Sequence, residues 1–219
     1  MASSAGEADI SGFWTVKRTA AFLGRRRSQG KRPPPLLVFT DPDRTADPLA
    51  LARSLPRGAG LVYRAFGAPD RLETARALAI VARRRGLVLL VGADAELAAR
   101  AGASGVHLPE RLAGRAWRLR RPGWIITAAA HTPRAARRSG IDAFVLSAVF
   151  PSASPSAGPP LGALRFAQRV RTASAPAYAL GGVNDATVGR LRMTGAAGLA
   201  GVGFSLTAPA AGRTGDLRT

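Results

Sequence analysis

Two histidines, one Gly-Gly turn and a serine-rich loop are the groups in this 219-residue chain whose types and placement could do chemistry. Histidine is the usual proton carrier near neutral pH. His131 lies past a predicted strand, in Ala130-His131-Thr132-Pro133, where a side chain is open to a ligand, and it is a candidate acid/base. His107 lies inside Val106-His107-Leu108. A histidine in such a run is more often a satisfied core side chain than a ligand contact, but it is kept as a candidate for substrate binding. The stretch Pro176–Asn184 (PAYALGGVN) opens as a buried strand, breaks at Gly181-Gly182 and resumes as a helix capped by Asn184 or Asp185. Such a turn can bring bare N–H groups up to a phosphate, because glycine lets the backbone approach and a helix start favours negative charge. Gly198–Gly203 (GLAGVG) partly repeats the pattern. From these residues alone, phosphate turns and ordinary turns of a Gly-rich chain stand equal. Ser152–Pro160 (SASPSAGPP) reads as a loop whose hydroxyls and N–H groups could close over an anion.

The elements that must position these groups alternate along the chain. Predicted strands are Leu36–Thr40, Gly60–Phe66, Gly86–Val91, Gly105–Leu108, Trp124–Ala129, Ala143–Val149, Ala177–Leu180 and Gly198–Val202. Most are continuous apolar runs, the pattern of parallel strands buried on both faces. Between them come predicted helices: Asp47–Leu55, Pro69–Arg85, Ala95–Ala101, Glu110–Arg120, Pro133–Ser139, Leu161–Thr172 and Asp185–Met193. Eight strand–helix units at about 20–25 residues each point to a single α/β domain, a closed (β/α)8 TIM barrel. Sites of that fold lie at the C-terminal ends of the strands. Asp41, Asp43, Arg44, Arg64, His107, Glu110, His131, Thr132, Ser147, Ser152, Ser154 and Ser156 are the polar residues expected there, beside Gly181, Gly182 and Gly203. Asp41-Pro42-Asp43 is more readily a turn and cap than an ion site, so no metal is assigned.

Composition excludes several classes. Without cysteine there is no disulfide, thiolate metal site or Cys nucleophile. This agrees with a cytoplasmic location. No apolar run reaches the ~18 residues of a membrane span. The net charge of +19 is carried almost entirely by arginine, with lysine only at 17 and 31. The arginines are spread over many predicted helices and aromatic residues are sparse, so a solvated basic shell is favoured over a nucleic-acid surface. The expected division is a basic N-terminal extension (1–35), the barrel (36–206) and a C-terminal tail (207–219). Ile10–Leu23 could form a short helix, either a loose lead-in or a plug for the bottom of the barrel.

Four pieces in register resemble one family, thiamine phosphate synthase and its relative TenI, the thiazole tautomerase. Leu37–Asp41 (LVFTD) resembles the family's first strand. Gly102–Leu108 (GASGVHL) resembles its Gly-Ala-Asp-Gly-Val/Ile-His-Leu run. Ala143–Ser154 (AFVLSAVFPSAS), followed by Gly162, resembles its Gly-Pro-Ile/Val-Phe-Pro-Thr loop. Tyr178–Val183 (YALGGV) resembles its Ala-Ile/Leu-Gly-Gly-Ile turn. The resemblance implies a (β/α)8 barrel that binds a thiazole phosphate on Gly181, Gly182 and Gly203. It implies contacts to a pyrophosphate from Ser152 and Ser154, an acid/base role for His131, and a ligand-binding role for Arg64.

Departures from the family pattern are as informative. The second-strand Gln-x-Arg-Glu-Lys run reads Val62–Phe66 (VYRAF), so only its arginine remains. The third-strand Asn-Asp reads Gly92-Ala93, with Asp94 one place late. The Gly-Gln-x-Asp after His-Leu reads Pro109-Glu110-Arg111 with no aspartate, and the loop lysine is Pro155. In synthases, the resemblance implies, those aspartates hold Mg2+ and those lysines help to hold the pyrophosphate. The leading expectation is therefore TenI-like proton transfer on a thiazole phosphate with no cofactor. A true synthase, coupling a pyrimidine pyrophosphate to thiazole phosphate, is the alternative. It would need Mg2+, on a rearranged site such as Asp41, Asp94 and Glu110. A non-catalytic barrel that binds phosphate or nucleic acid is a further alternative. The expected partners are small phosphorylated thiazole or pyrimidine substrates and no membrane; nucleic acid is disfavoured and a homo-oligomer is left open.

Overall fold

A computed structural model of the chain describes residues 19–20, 33–152, 154 and 157–202. Eight parallel strands close into a barrel in sequence order. They are β1 (Leu36–Phe39), β2 (Gly60–Tyr63), β3 (Val88–Gly92), β4 (Gly105–Leu108), β5 (Ile125–Ala130), β6 (Ala143–Leu146), β7 (Ala177–Ala179) and β8 (Gly198–Val202). Pairing of β8 with β1, Leu36 opposite Leu199 and Phe39 opposite Val202, closes the ring.

Both faces of the strands are largely buried, which is why most of them read as apolar runs, with His107 in β4 and Thr127 in β5 as buried polar exceptions. Inward residues such as Leu37, Phe39, Val62, Leu90, Val145 and Tyr178 fill the barrel. Their neighbours Val38, Leu61, Leu89, Val106, Ile126 and Phe144 pack outward against the helices. The α-helices bounded within the described residues are α1 (Pro48–Ser54), α2 (Arg71–Arg85), α3 (Ala95–Ala101), α4 (Ala116–Leu119), α5 (Gly162–Thr172) and α6 (Asp185–Val188). Asp47 and Asp94 cap α1 and α3 with their carboxylates, and Gly86 and Gly102 end α2 and α3 in the left-handed conformation.

Several elements are shorter than their sequence pattern suggests. The strand expected to reach Phe66 ends at Tyr63, because the Arg64 N–H turns to the Thr40 hydroxyl at 2.9 Å. The strand expected to reach Val149 ends at Leu146. The helix expected over Pro133–Ser139 is one 3-10 turn, Ala135–Arg137, stopped by extended backbone at Arg138. The helix expected over Glu110–Arg120 divides into a 3-10 stretch, Glu110–Arg115, and α4. The helix expected from Pro69 begins at Arg71.

The Pro-rich lead-in closes the N-terminal end of the barrel. The Tyr178 hydroxyl donates to the Pro34 carbonyl at 2.6 Å, and Leu199 N–H donates to the Pro35 carbonyl at 2.9 Å. Thr19 and Ala20 are helical and buried, and Ala20 packs into the outer core. The rest of the expected Ile10–Leu23 helix and the tail beyond residue 202 lie outside the described residues. Among the described residues no helix is long and apolar enough to cross a membrane.

Candidate functional site

A cavity of about 370 Å3 opens at the C-terminal ends of β1, β2, β6, β7 and β8. One wall is polar and charged: Asp41, Arg44 and Arg64. The opposite wall is the turn Gly181-Gly182-Val183. Ser147, Ser152 and Ser154 join them, and Leu180, Ala200 and Val202 form an apolar floor.

The Gly181-Gly182 turn is built as the sequence suggests. Both glycines have positive φ, 92° and 63°. A Cβ on Gly182 would lie 2.2 Å from the Pro151 carbonyl oxygen, and one on Gly181 would lie 2.9 Å from the Ala148 Cβ. Only glycine fits either place. Among the described residues no acceptor takes the N–H groups of Gly181, Gly182 or Val183, so they remain available to an anion. The next turn is closed on itself: Asn184 caps α6, and the Thr187 hydroxyl donates to the Gly182 carbonyl at 2.8 Å.

Arg64 is pinned across from that turn. Its Nη2 meets Asp41 at 2.7 Å and its Nε donates to the Thr40 carbonyl at 2.6 Å. The guanidinium lies between the rings of Phe39 and Phe66, 5.9 and 5.1 Å from their centroids. Burial lowers its pKa, against the pull of Asp41.

The two histidines part company. His107 lies in the barrel interior, 8% exposed, and does not line the cavity. Its Nδ1 meets the Thr127 hydroxyl at 2.9 Å, and its ring packs edge-on against Phe39, centroids 4.9 Å apart. Burial, with Arg64 pushing the same way, lowers its pKa to about 3, so the ring is neutral near pH 7. His131 is exposed just past β5, behind the cavity rim. Its Nδ1 meets the hydroxyl of Ser147, a cavity residue, at 3.3 Å.

Gly203 and Ser156 lie outside the described residues. Asp43 is exposed and donates its N–H to Asp41 Oδ1 at 3.2 Å. Glu110 and Thr132 lie on the His131 side: the Thr132 hydroxyl donates to Glu110 Oε1 at 3.2 Å. Sequence reasoning missed Arg169, whose Nη1 donates to the His131 carbonyl at 2.6 Å. Nothing in its helical pattern separates it from the other arginines of that surface.

The family model described as thiamine monophosphate synthase matches residues 37–203. The chain belongs to the thiamine monophosphate synthase family. A putative thiamine-phosphate synthase of Geobacter sulfurreducens is 35% identical over 135 residues, 59% of this chain and 63% of the relative. The thiamine biosynthesis bifunctional protein ThiM/ThiE of Symbiobacterium thermophilum is 29% identical over 208 residues, 87% of this chain but 43% of the relative. The chain thus spans less than two thirds of the length of these two relatives. Among solved structures, the thiamine phosphate pyrophosphorylase of Pyrococcus furiosus superposes with a TM-score of 0.68 at 22% identity, covering 80% of this chain and 88% of that one. The YdjI aldolase of Escherichia coli superposes with a TM-score of 0.54 at 13% identity, covering 85% and 78%. Both are likenesses of fold.

Set beside the Mg2+ chemistry that the resemblance implies for synthases, the carboxylates of this member do not fit. Asp41 is held by Arg64, Asp94 accepts the Leu97 N–H at the start of α3, and Glu110 holds the His131 segment. Among the described residues no three His, Asp or Glu side chains gather where a cation could be held. The rearranged site of Asp41, Asp94 and Glu110 is not assembled, because each acid already has a local partner.

Proposed function

We propose that this member of the family binds a thiazole phosphate in the cavity and moves a proton on it, as a TenI-type tautomerase would, with no metal. The observation that carries this is the pairing of His131 with Ser147 beside a turn whose glycine N–H groups meet no acceptor among the described residues. The phosphate binds the N–H groups of Gly181, Gly182 and Val183, and the ring lies over the apolar floor. Ser147 stands between the imidazole and the ligand. Its hydroxyl takes a proton from one ring position as it passes its own to Nδ1, and the imidazolium then returns a proton through the hydroxyl to the second position, so that the pair ends as it began. A tautomerisation shifts one proton and one double bond and has no leaving group, so it needs no cation to neutralise departing charge. Arg64 and Arg44 face the ligand from the far wall, and Ser152 and Ser154 close over it.

His131→Ala is expected to lower turnover about 10²–10⁴-fold while thiazole phosphate still binds. Turnover near that of the wild type would sink the reading. The second reading, a true synthase, draws on Arg44 and Arg64 as cations within the same cavity, and on the names of both curated relatives. It is separated by mixing the protein with thiazole phosphate, pyrimidine pyrophosphate and Mg2+. Thiamine phosphate that forms with Mg2+ and fails with a chelator would establish the synthase.

A further inference from the structure

We propose that Glu110 and Arg169 are positioning residues that clamp the peptide bearing His131 and so hold its imidazole against Ser147. The link to turnover rests on the proton-transfer role given to His131; the clamp itself does not.

His131 is the first residue beyond β5, whose pairing with β6 ends at Ala130 opposite Leu146. It therefore has no strand partner, and its side chain is exposed, so core packing does not hold it either. Charged side chains from two separate elements supply what the ladder does not. Glu110, at the start of the 3-10 stretch after β4, accepts the His131 N–H on Oε2 at 2.5 Å and the Thr132 hydroxyl on Oε1 at 3.2 Å. Arg169, on α5, donates to the His131 carbonyl at 2.6 Å. Glu110 is itself anchored, because Arg138 Nη1 donates to its carbonyl. Bonds to charged partners are the stronger kind. They matter here because the contact they serve is weak: Nδ1 to the Ser147 hydroxyl is 3.3 Å, near the limit of a hydrogen bond. A shift of a few tenths of an ångström breaks it. The position that departs from the family pattern at Pro109-Glu110-Arg111 is thus occupied by a residue with a different task.

The test uses the full chain, 15N-labelled. With only two histidines, imidazole 1H–15N spectra show two rings, and His131→Asn assigns them. In the wild type Nδ1 of His131 carries the signature of a hydrogen-bonded nitrogen. Glu110→Ala and Arg169→Ala are each expected to move it to that of a free imidazole, with the His107 signals unchanged. Glu110→Gln, which keeps an acceptor, restores it. In the tautomerase assay kcat falls about 10–100-fold in the two clamp variants with KM nearly constant. An unchanged His131 signal in both variants overturns the clamp. Should Glu110→Ala fail to fold, Arg169→Ala, at a half-buried position of α5, decides alone. If His131→Ala turns over normally, the acid/base role falls while the spectra still decide the clamp.

Discussion

His107 shows how little a residue type says without its surroundings. The sequence offered it and His131 as two strand-end histidines, and only the apolar neighbours Val106 and Leu108 hinted at burial. In the barrel it is neutral, bonded to Thr127, and set beneath the cavity. This has a consequence for stability. Its pKa of about 3 lies below the ordinary 6.5, so between those values the unfolded chain binds a proton that the native protein refuses. Its contribution to stability is full above pH 6.5 and is lost as pH falls towards 3, by up to about 1.4 kcal/mol per pH unit. His107→Gln, which can still bond Thr127, is expected to flatten that slope. Urea unfolding at pH 7 and pH 5 would show it, and equal slopes in variant and wild type would assign acid sensitivity elsewhere. Glu110 is the opposite case. Its position was visible as polar and near a strand end, but a bond to a main-chain N–H twenty-one residues away leaves no mark in sequence spacing.

At the scale of elements, strand identity was legible and strand ends were not. The eight largely apolar runs all became strands because burial on both faces favours apolar residues. Composition does not say where a ladder hands over to a loop. Ala148, Val149 and Phe150 are as apolar as β6, yet they leave the strand pairing and bond instead beside the turn after β7. Val149 N–H donates to the Leu180 carbonyl at 2.9 Å and Phe150 N–H to the Gly181 carbonyl at 3.0 Å. The segment after β6 and the glycine turn therefore form one packed unit. Gly182→Ala is expected to cost about 1–3 kcal/mol from left-handed strain and the clash with Pro151. It is also expected to weaken binding of a phosphorylated ligand at least tenfold. Thermal melting and calorimetric titration would check both, and unchanged affinity would remove the turn from the binding site.

For the whole molecule the dominant number is the charge of +19. Only three ion pairs are formed among the described residues, and two of them are surface pairs. Most arginines thus repel one another across a solvated shell, and self-repulsion of this kind is screened by salt. Melting temperature is expected to rise between about 20 and 300 mM NaCl, the range over which the Debye length falls below ~10 Å. A flat or falling curve would mean that the arginines are neutralised within the fold. The boundary expected at residue 35 is also softened: Pro33 and Pro34 are buried against the barrel, and Tyr178 bonds Pro34 across its base. Tyr178→Phe is expected to destabilise by about 1 kcal/mol or more, since the Pro34 carbonyl loses that donor in a buried place. That pairing, 144 residues apart, is invisible to any local pattern.

The joined unit of the β6 segment and the glycine turn carries Ser147 at one end and the N–H groups of the turn at the other. On the proposed reading, the two ends of one small molecule therefore grip a single rigid jaw. Binding energy collected at the phosphate is then convertible into alignment at the reacting ring. A substrate cut in two should reveal this: the thiazole alcohol alone would turn over slowly even at saturation, and inorganic phosphate added as a separate piece would recover part of the lost rate.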